Sequence, residues 1–90
     1  MKAETNPIYR IISNKEIQSD GILYVYKLVE DSERYGYLIK VEMLMADGMK
    51  SEAATNTIFT TLPIAEDFFK KLYENLATPI DLAYVVEDEL

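Results

Sequence analysis

The sequence predicts an α+β domain, a four-stranded antiparallel β-meander followed by one amphipathic helix and a short C-terminal helix. Apolar and polar residues alternate with period two from Ile8 to about Thr57, in segments rich in Ile, Val, Tyr and Thr, which is typical of half-buried strands. In the last third of the chain the period changes to that of a helix. Three turn sequences divide the alternating part into four strands: Asp20-Gly21, residues 31–34 and Asp47-Gly48. A chain of 90 residues fits one domain, residues 1–90.

The first strand is expected to be irregular. No simple loop length around Asp20-Gly21 brings all the isoleucines of this segment to the core face of the sheet; they are Ile8, Ile11, Ile12 and Ile17. Because each regular strand residue alternates sides, one extra residue is enough to reverse the faces. We therefore expect either a β-bulge or a flexible N-terminal edge.

The second and third strands, residues 22–30 and 35–45, form the clearest pair. A tight turn around Ser32-Glu33 would place four pairs of uncharged residues on one face: Leu28 with Tyr37, Tyr26 with Ile39, Tyr24 with Val41, and Ile22 with Met43. This is the predicted core face. The opposite, outer face mixes charge with large apolar groups: Leu23, Val25, Lys27, Val29, Leu38, Lys40, Glu42 and Leu44.

Two loops are compatible with the turn at Asp47-Gly48. A two-residue turn would put Glu52 and Asn56 on the core face. A three-residue loop with Gly48 in the left-handed region would instead put small or apolar residues there: Met49, Ser51, Ala53 and Thr55. The three-residue loop is the preferred interpretation.

The helix is predicted from an apolar stripe in which Ile64, Phe68, Leu72 and Leu76 recur every fourth residue, flanked by Ala65 and Phe69. Five charged residues point outward: Glu66, Asp67, Lys70, Lys71 and Glu74. Pro63 stands near the start, and the acidic residues precede the basic ones, an order that suits the helix dipole.

The C-terminal residues predict a second helix. In Thr78-Pro79-Ile80-Asp81 the Thr can cap, Pro fits the first helical position, and Asp follows the cap by three residues. The expected span is residue 79 to about 88. A fifth strand over residues 82–86 is the alternative, because the acidic residues 87–89 are badly placed at a helix C-terminus.

The composition excludes most classes of enzyme. There is no His and no Cys, so the commonest general base, the usual transition-metal ligands and the thiolate nucleophile are missing. The three glycines stand far apart and make no phosphate-binding loop. We therefore expect a protein that is not an enzyme and uses no cofactor.

The charge and the apolar runs limit partners and location. A net charge of −7 repels nucleic acid and anionic lipid, and the acidic excess lies mostly in residues 51–90. The first residues lack the apolar core of a signal peptide, and no apolar run approaches the ~20 residues of a membrane span. We expect a cytoplasmic protein whose partner is another protein.

Several features occur together in the order of a known family. Tyr35-Gly36 opens an alternating strand, Asp47-Gly48 makes a turn, one amphipathic helix follows, and the ending has the pattern Pro-x-x-Leu-x-x-Val-Val-Glu-Asp-x-Leu. From about the second strand onward the chain resembles short uncharacterised proteins of clostridia-like Gram-positive bacteria. The resemblance implies a bacterial cytoplasmic protein and supplies no catalytic residues, since that family has no assigned function.

Four residue groups could carry chemistry, and each has a simpler structural interpretation. The acidic residues 87–89 could hold Ca²⁺ or Mg²⁺ but are better explained as a solvated tail. Glu42 with Glu52 could form a glycosidase-like pair, although so short a chain can hardly frame a pocket of ~300 Å³. Four tyrosines could stack bases, but core packing is the better explanation for them: Tyr24, Tyr26, Tyr35 and Tyr37. Three methionines around one turn could form an adaptable binding surface, but core packing is again the better explanation: Met43, Met45 and Met49.

The outer face remains as the candidate interaction site. Its apolar residues are Leu23, Val25, Val29, Leu38 and Leu44, and an exposed apolar patch of this kind marks an interaction surface, unless the C-terminal segment folds across it. The preferred hypothesis is a non-enzymatic interaction or regulatory module, forming a homodimer through this face or binding another protein. The alternative is a small-ligand or metal-ion binding protein, with a site near the Met-rich turn or the acidic tail.

Overall fold

The computed structural model describes residues 9–55 and 59–82, which form one antiparallel sheet with helices on one side. Its strands are β1 (Tyr9–Ser19), β2 (Ile22–Asp31), β3 (Gly36–Leu44) and β4 (Lys50–Ala54), in the order β1-β2-β3-β4. Helix α1 spans Leu62–Glu74, and a short helix, α2, begins at residue 79 and is described as far as residue 82. The predicted α+β meander followed by helices is confirmed.

The structure of the first hairpin explains why the isoleucines of β1 do not follow one alternating pattern. Asp20 and Gly21 both have positive φ, 53° and 78°, as a two-residue hairpin turn requires. Further along β1 the register shifts between Ile11 and Ser13. This bulge lets Ile12 and Ile17 both pack against the core, and the predicted bulge is confirmed. Ile8 lies outside the described residues.

The loop between β2 and β3 is longer than predicted. Asp31 pairs with Gly36 across a four-residue loop, because the Asp31 carboxylate accepts hydrogen bonds from the backbone N–H groups of Glu33 (3.1 Å) and Arg34 (3.2 Å). Tyr35 lies in this loop with φ 55° and is 88% exposed. Its predicted place on the core face is therefore wrong.

The longer loop moves the pairing by two residues. The observed pairs are Tyr24 with Met43, Tyr26 with Val41, and Leu28 with Ile39, so the predicted pairs are wrong. A shift of two residues leaves every side chain on its predicted face, because the side-chain period of a strand is two.

The loop between β3 and β4 has the predicted three residues. Gly48 has φ 91°, and its N–H donates to the carbonyl of Met45 at 2.9 Å. The N–H of Met45 in turn donates to the carbonyl of Met49 at 2.8 Å. As a result Val41 pairs with Ala53, which packs against the core. Met49 itself is 63% exposed, so its predicted burial is wrong.

Replacing Gly48 tests this loop. A Cβ at Gly48 would meet no atom within 4 Å, so Gly48→Val would act through backbone strain alone. We expect it to lower the free energy of unfolding by about 1 kcal/mol or more, measured from urea unfolding curves. Gly48→Asn is the control, because Asn tolerates the left-handed region, and it should cost clearly less. Equal midpoints for all three proteins would contradict the assigned loop.

Helix α1 buries a stripe that is displaced from the predicted one. The buried residues are Ala65, Phe68, Phe69 and Leu72, at the spacing expected of one helix face. Ile64 is 60% exposed, so its predicted place on the stripe is wrong. The helix begins at Leu62, with Pro63 in its first turn, and no acidic residue lies in that turn. Leu76 stands beyond the helix end with φ 50°.

The chain after α1 returns to the same side of the sheet. Ala77 and Leu82 belong to the buried core, and the hydroxyl of Tyr26 donates to the carbonyl of Ala77 at 2.9 Å. Thr78 and Asp81 each accept a hydrogen bond from the backbone N–H of the other, both at 3.1 Å. The predicted helix start is confirmed. The predicted continuation to residue 88, and the alternative strand to residue 86, run beyond the described residues.

Candidate functional site

The two faces of the sheet have different surroundings. The inner face carries Tyr26, Leu28, Ile39 and Val41, which form one core with α1, Ala77 and Leu82. The outer face carries the alternate residues of β2 and β3. Within residues 9–55 and 59–82, no helix or strand packs on this outer face, and the Cα atoms extend only 17 Å along the shortest axis. The described residues thus form two layers, and the outer face is covered by none of their helices or strands.

Strand pairing arranges the outer face in four rows that run across the strands. The Leu44 row contains Gln18, Leu23, Leu44 and Lys50. The acidic row contains Glu16, Val25, Glu42 and Glu52. The basic row contains Asn14, Lys27, Lys40 and Ala54. The Leu38 row contains Ile11, Val29 and Leu38. Two charged rows therefore lie side by side. The Leu38 row on one side of them is apolar, and the Leu44 row on the other side has Leu23 and Leu44 at its centre and polar residues at its ends.

A shallow groove lies on each side of this charged belt. The first groove, of about 300 Å³, is lined mainly by Leu23, Val25, Leu44 and the charged residues beside them. The second, of about 390 Å³, is lined by Tyr9, Ile11, Val29, Leu38 and the stems of Lys27 and Lys40. Each reaches the volume of a small-molecule site, contrary to the expectation for so short a chain, but both are open to solvent.

The belt is held together by ion pairs centred on Glu42. The ammonium nitrogen of Lys27 lies 3.1 Å from Glu42, and that of Lys50 lies 3.6 Å away. Lys40 lies between the two carboxylates, 3.7 Å from Glu42 and 3.3 Å from Glu52. The side chain of Glu42 is only 13% exposed. Glu42 and Glu52 are thus paired with Lys27, Lys40 and Lys50 within one chain.

The pKa of Glu42 follows from these neighbours. Burial raises the pKa, but the hydrogen bond from Lys27 and the charges of Lys27, Lys40 and Lys50 outweigh burial, so the pKa lies below its ordinary value. A glycosidase acid needs the opposite, a carboxyl group whose pKa is raised. Glu42 and Glu52 are paired directly across the strands, but Glu42 lacks the raised pKa that a glycosidase acid needs.

The five predicted interaction residues all lie on the outer face, in two groups. Leu23, Val25 and Leu44 line the first groove, whereas Val29 and Leu38 line the second. Their exposure differs: Val29 is 8% exposed and Leu44 is 45% exposed. Val25 lies within the acidic row, and the basic row separates the two groups, so the apolar surface is not one continuous patch.

Sequence reasoning missed two residues of the second groove. Tyr9 and Ile11 are 57% and 56% exposed and belong to its lining. The bulge between Ile11 and Ser13 reverses the alternation of β1, so that Ile11 faces outward although Ile17, an even number of residues away, packs against the core. The mismatch among the isoleucines was the available signal, but it did not say which isoleucine would turn outward.

The tyrosines and methionines divide between core and surface. Tyr26 is fully buried and stacks on Tyr24, with ring centroids 6.5 Å apart, so the predicted core role is confirmed for Tyr26. Met43 and Met45 are half-buried, and Met49 is exposed. None of the three belongs to the buried core, so the predicted core filling by these methionines is wrong.

The part of the chain that the structure describes has neither a metal-binding cluster nor a membrane-spanning helix. It contains no group of three or more Asp and Glu side chains arranged to hold a metal ion; the acidic residues 87–89 lie outside it. No helix within it is long and apolar enough to cross a bilayer.

The described residues define a small α+β fold in which one charge-banded sheet face is covered by none of the described helices or strands. Residues 3–90 match the profile of a family of unknown function, DUF6514. The chain belongs to that family, which agrees with the predicted membership in an uncharacterised family. Neither the curated proteins nor the solved structures yield a match to this chain.

Proposed function

We propose that the protein is a non-enzymatic interaction module that forms a homodimer through the outer face. The charge balance of that face is the observation that carries the proposal. Its acidic side chains are Glu16, Glu42 and Glu52, and its basic side chains are Lys27, Lys40 and Lys50. These six charges cancel on a chain whose net charge is −7. A second copy can therefore approach this face without the repulsion that the rest of the surface exerts.

The apolar residues beside the belt supply the attraction. Burial of exposed apolar surface stabilises association by roughly 25 cal/mol per Å², and Leu44, Tyr9 and Ile11 are each about half exposed. Four strands about 4.8 Å apart, with a rise of about 3.3 Å per residue, give the face an area of very roughly 600 Å². A standard interface buries about 800 Å² per partner. The expected dimer is therefore reversible.

Concentration-dependent sedimentation of the unsubstituted protein and of a double variant tests the proposal. Val25→Lys with Leu38→Glu places one new charge within the acidic row and one in the Leu38 row. We expect the unsubstituted protein to dimerise and the variant to stay monomeric with an unchanged circular dichroism spectrum.

A matched control puts a charge on the opposite side of the molecule. Ile64 is 60% exposed on α1, so Ile64→Lys should leave association unchanged. The proposal fails if the unsubstituted protein is monomeric at high concentration. It also fails if the double variant unfolds while Ile64→Lys does not, because the face would then be buried within the chain.

The first groove favours a second candidate function, the binding of a small ligand. It has the volume of a small-molecule site and combines apolar Leu23 and Val25 with Met43 and charged neighbours. A ligand that binds only the native state raises the melting temperature by mass action. A monomeric protein that gains several degrees with one compound or divalent ion in a thermal-shift screen would favour this function over dimerisation.

The proposal includes a bacterial, cytoplasmic setting, in Gram-positive species related to clostridia. The absence of Cys from the chain suits a reducing compartment. Fractionation of a native cell, with detection of this protein by an antibody, would test the location.

A further inference from the structure

We infer that the two copies pack face to face with their two-fold axis running across the strands, between the acidic row and the basic row. Glu42 then faces the partner's Lys40, and Leu44 faces the partner's Leu38. This geometry rests on the proposed homodimer and specifies how its two copies are oriented.

Symmetry leaves few arrangements for two identical sheets packed face to face. The two-fold axis must lie in the plane between the sheets, because each copy presents the same surface to the other. Aligned sheets keep their strands within about 30° of each other. The axis therefore runs approximately along the strands or approximately across them.

The charged belt distinguishes these two arrangements. An axis along the strands would place each row over the same row of the partner, so Glu42 would approach a second acidic row and Lys40 a second basic row. An axis across the strands, between the two charged rows, lays the acidic row over the partner's basic row and brings Glu42 opposite the partner's Lys40. Like charges opposed in a contact that excludes water are strongly unfavourable, so the axis across the strands is favoured.

The apolar rows support the same choice. Rows on one face lie two residues apart, about 6.8 Å, and the Leu44 row and the Leu38 row stand at equal distances from the belt. The same rotation therefore lays the Leu44 row of one copy over the partner's Leu38 row. Leu44, which is 45% exposed, then covers the second groove of the partner.

The ion pairs within each chain leave donors for the partner. Lys40 remains 38% exposed while it contacts Glu42 and Glu52, and an ammonium group has three donors. Contact between copies would remove water around these groups and strengthen the attraction between them. The belt thereby determines the orientation of the dimer, and the apolar rows add affinity.

Site-specific cross-linking tests the axis, and the chain contains no native Cys that could interfere. The variants are Leu38→Cys and Leu44→Cys, treated alone and as a mixture with a short bismaleimide. A bismaleimide is needed because facing sheets lie about 10 Å apart, whereas a disulfide spans only ~7 Å between Cα atoms. We expect cross-linked dimer in the mixture and none with either variant alone, because equivalent residues of the two copies are about 20 Å apart along the strands.

A second pair protects the test against a folding defect at one position. Ile11→Cys and Gln18→Cys replace exposed side chains of β1 in the Leu38 row and the Leu44 row, and they too should cross-link only as a mixture. Cross-linking of Leu38→Cys with itself and of Leu44→Cys with itself, without cross-linking in the mixture, would overturn the axis and leave the homodimer intact. A protein that is monomeric in sedimentation and cross-links in no combination would instead overturn the proposed function.

Discussion

Phe68→Ala is expected to lower the free energy of unfolding by roughly 3 to 5 kcal/mol. The side chain is 5% exposed and lies between α1 and the sheet, with its ring centroid 5.0 Å from that of Phe59. Truncation would remove the buried ring and leave a cavity that the neighbouring side chains can fill only in part. A chain of 90 residues has a small core and a narrow stability margin, so this loss could unfold the domain.

The measurement is a urea midpoint at constant protein concentration, with a control from the same helix. Ile64→Ala removes an apolar side chain that is 60% exposed, so it should change the free energy of unfolding by no more than about 0.5 kcal/mol. Leu72→Ala, at a residue 2% exposed, should cost roughly 2 to 5 kcal/mol. Equal effects of the Phe68 and Ile64 substitutions would contradict the packing of α1 on the sheet.

The faces of β2 and β3 were predictable because they depend on periodicity alone. Tyr26, Leu28, Ile39 and Val41 reach the core although their predicted partners were wrong, since the error was an even number of residues. The pairing itself depended on the length of the loop. The Asp31 carboxylate stabilises a four-residue loop by accepting hydrogen bonds from two backbone N–H groups. Periodicity contains no information about that choice.

The burial of residues in helix α1 shows a similar limit of prediction from periodicity. The apolar period correctly predicts that Phe68, Phe69 and Leu72 are buried, but Ile64 fits the same period and is exposed. Which residues of an apolar stripe are covered depends on how far the sheet extends beneath the helix. The capping pair of Thr78 and Asp81 was predictable because it depends only on residues three positions apart.

The sequence predicts which face of the sheet carries the candidate site, but it does not predict how the residues are arranged on that face. Alternation alone assigns Leu23, Val25, Val29, Leu38 and Leu44 to the outer face. The separation of these residues by a charged belt follows from the observed register, which places Lys27 beside Lys40 and Val25 beside Glu42. The chemistry of an interaction face also depends on its partner, and no motif in the sequence specifies one.

Tyr26→Phe is expected to lower the free energy of unfolding by about 1 to 3 kcal/mol, a large effect for the loss of one oxygen atom. The hydroxyl of Tyr26 donates to the carbonyl of Ala77 at 2.9 Å, and both residues are buried. Without the hydroxyl, the carbonyl would stay buried without this donor, and the segment that leads from α1 to α2 would lose its direct hydrogen bond to the sheet.

The pH dependence provides a second measurement on the same group. Burial, followed by the proximity of Tyr24 and of the Asp81 carboxylate, raises the pKa of Tyr26 from 10.0 to about 12. The folded protein thus keeps this proton at pH values where the unfolded chain loses it. The contribution of Tyr26 to stability is complete below pH 10 and decreases as the pH rises toward 12, so the difference between the unsubstituted protein and Tyr26→Phe should narrow over that range.

Tyr24→Phe is the matched control for both measurements. Tyr24 stacks on Tyr26 with a ring-centroid distance of 6.5 Å and is half-buried, so the substitution removes the same atom from the adjacent ring. We expect its urea midpoint at pH 8 to stay close to that of the unsubstituted protein. If Tyr24→Phe and Tyr26→Phe destabilise equally, or if the difference between Tyr26→Phe and the unsubstituted protein stays constant from pH 9 to pH 11, the hydrogen bond to Ala77 is not what fixes the C-terminal segment to the sheet.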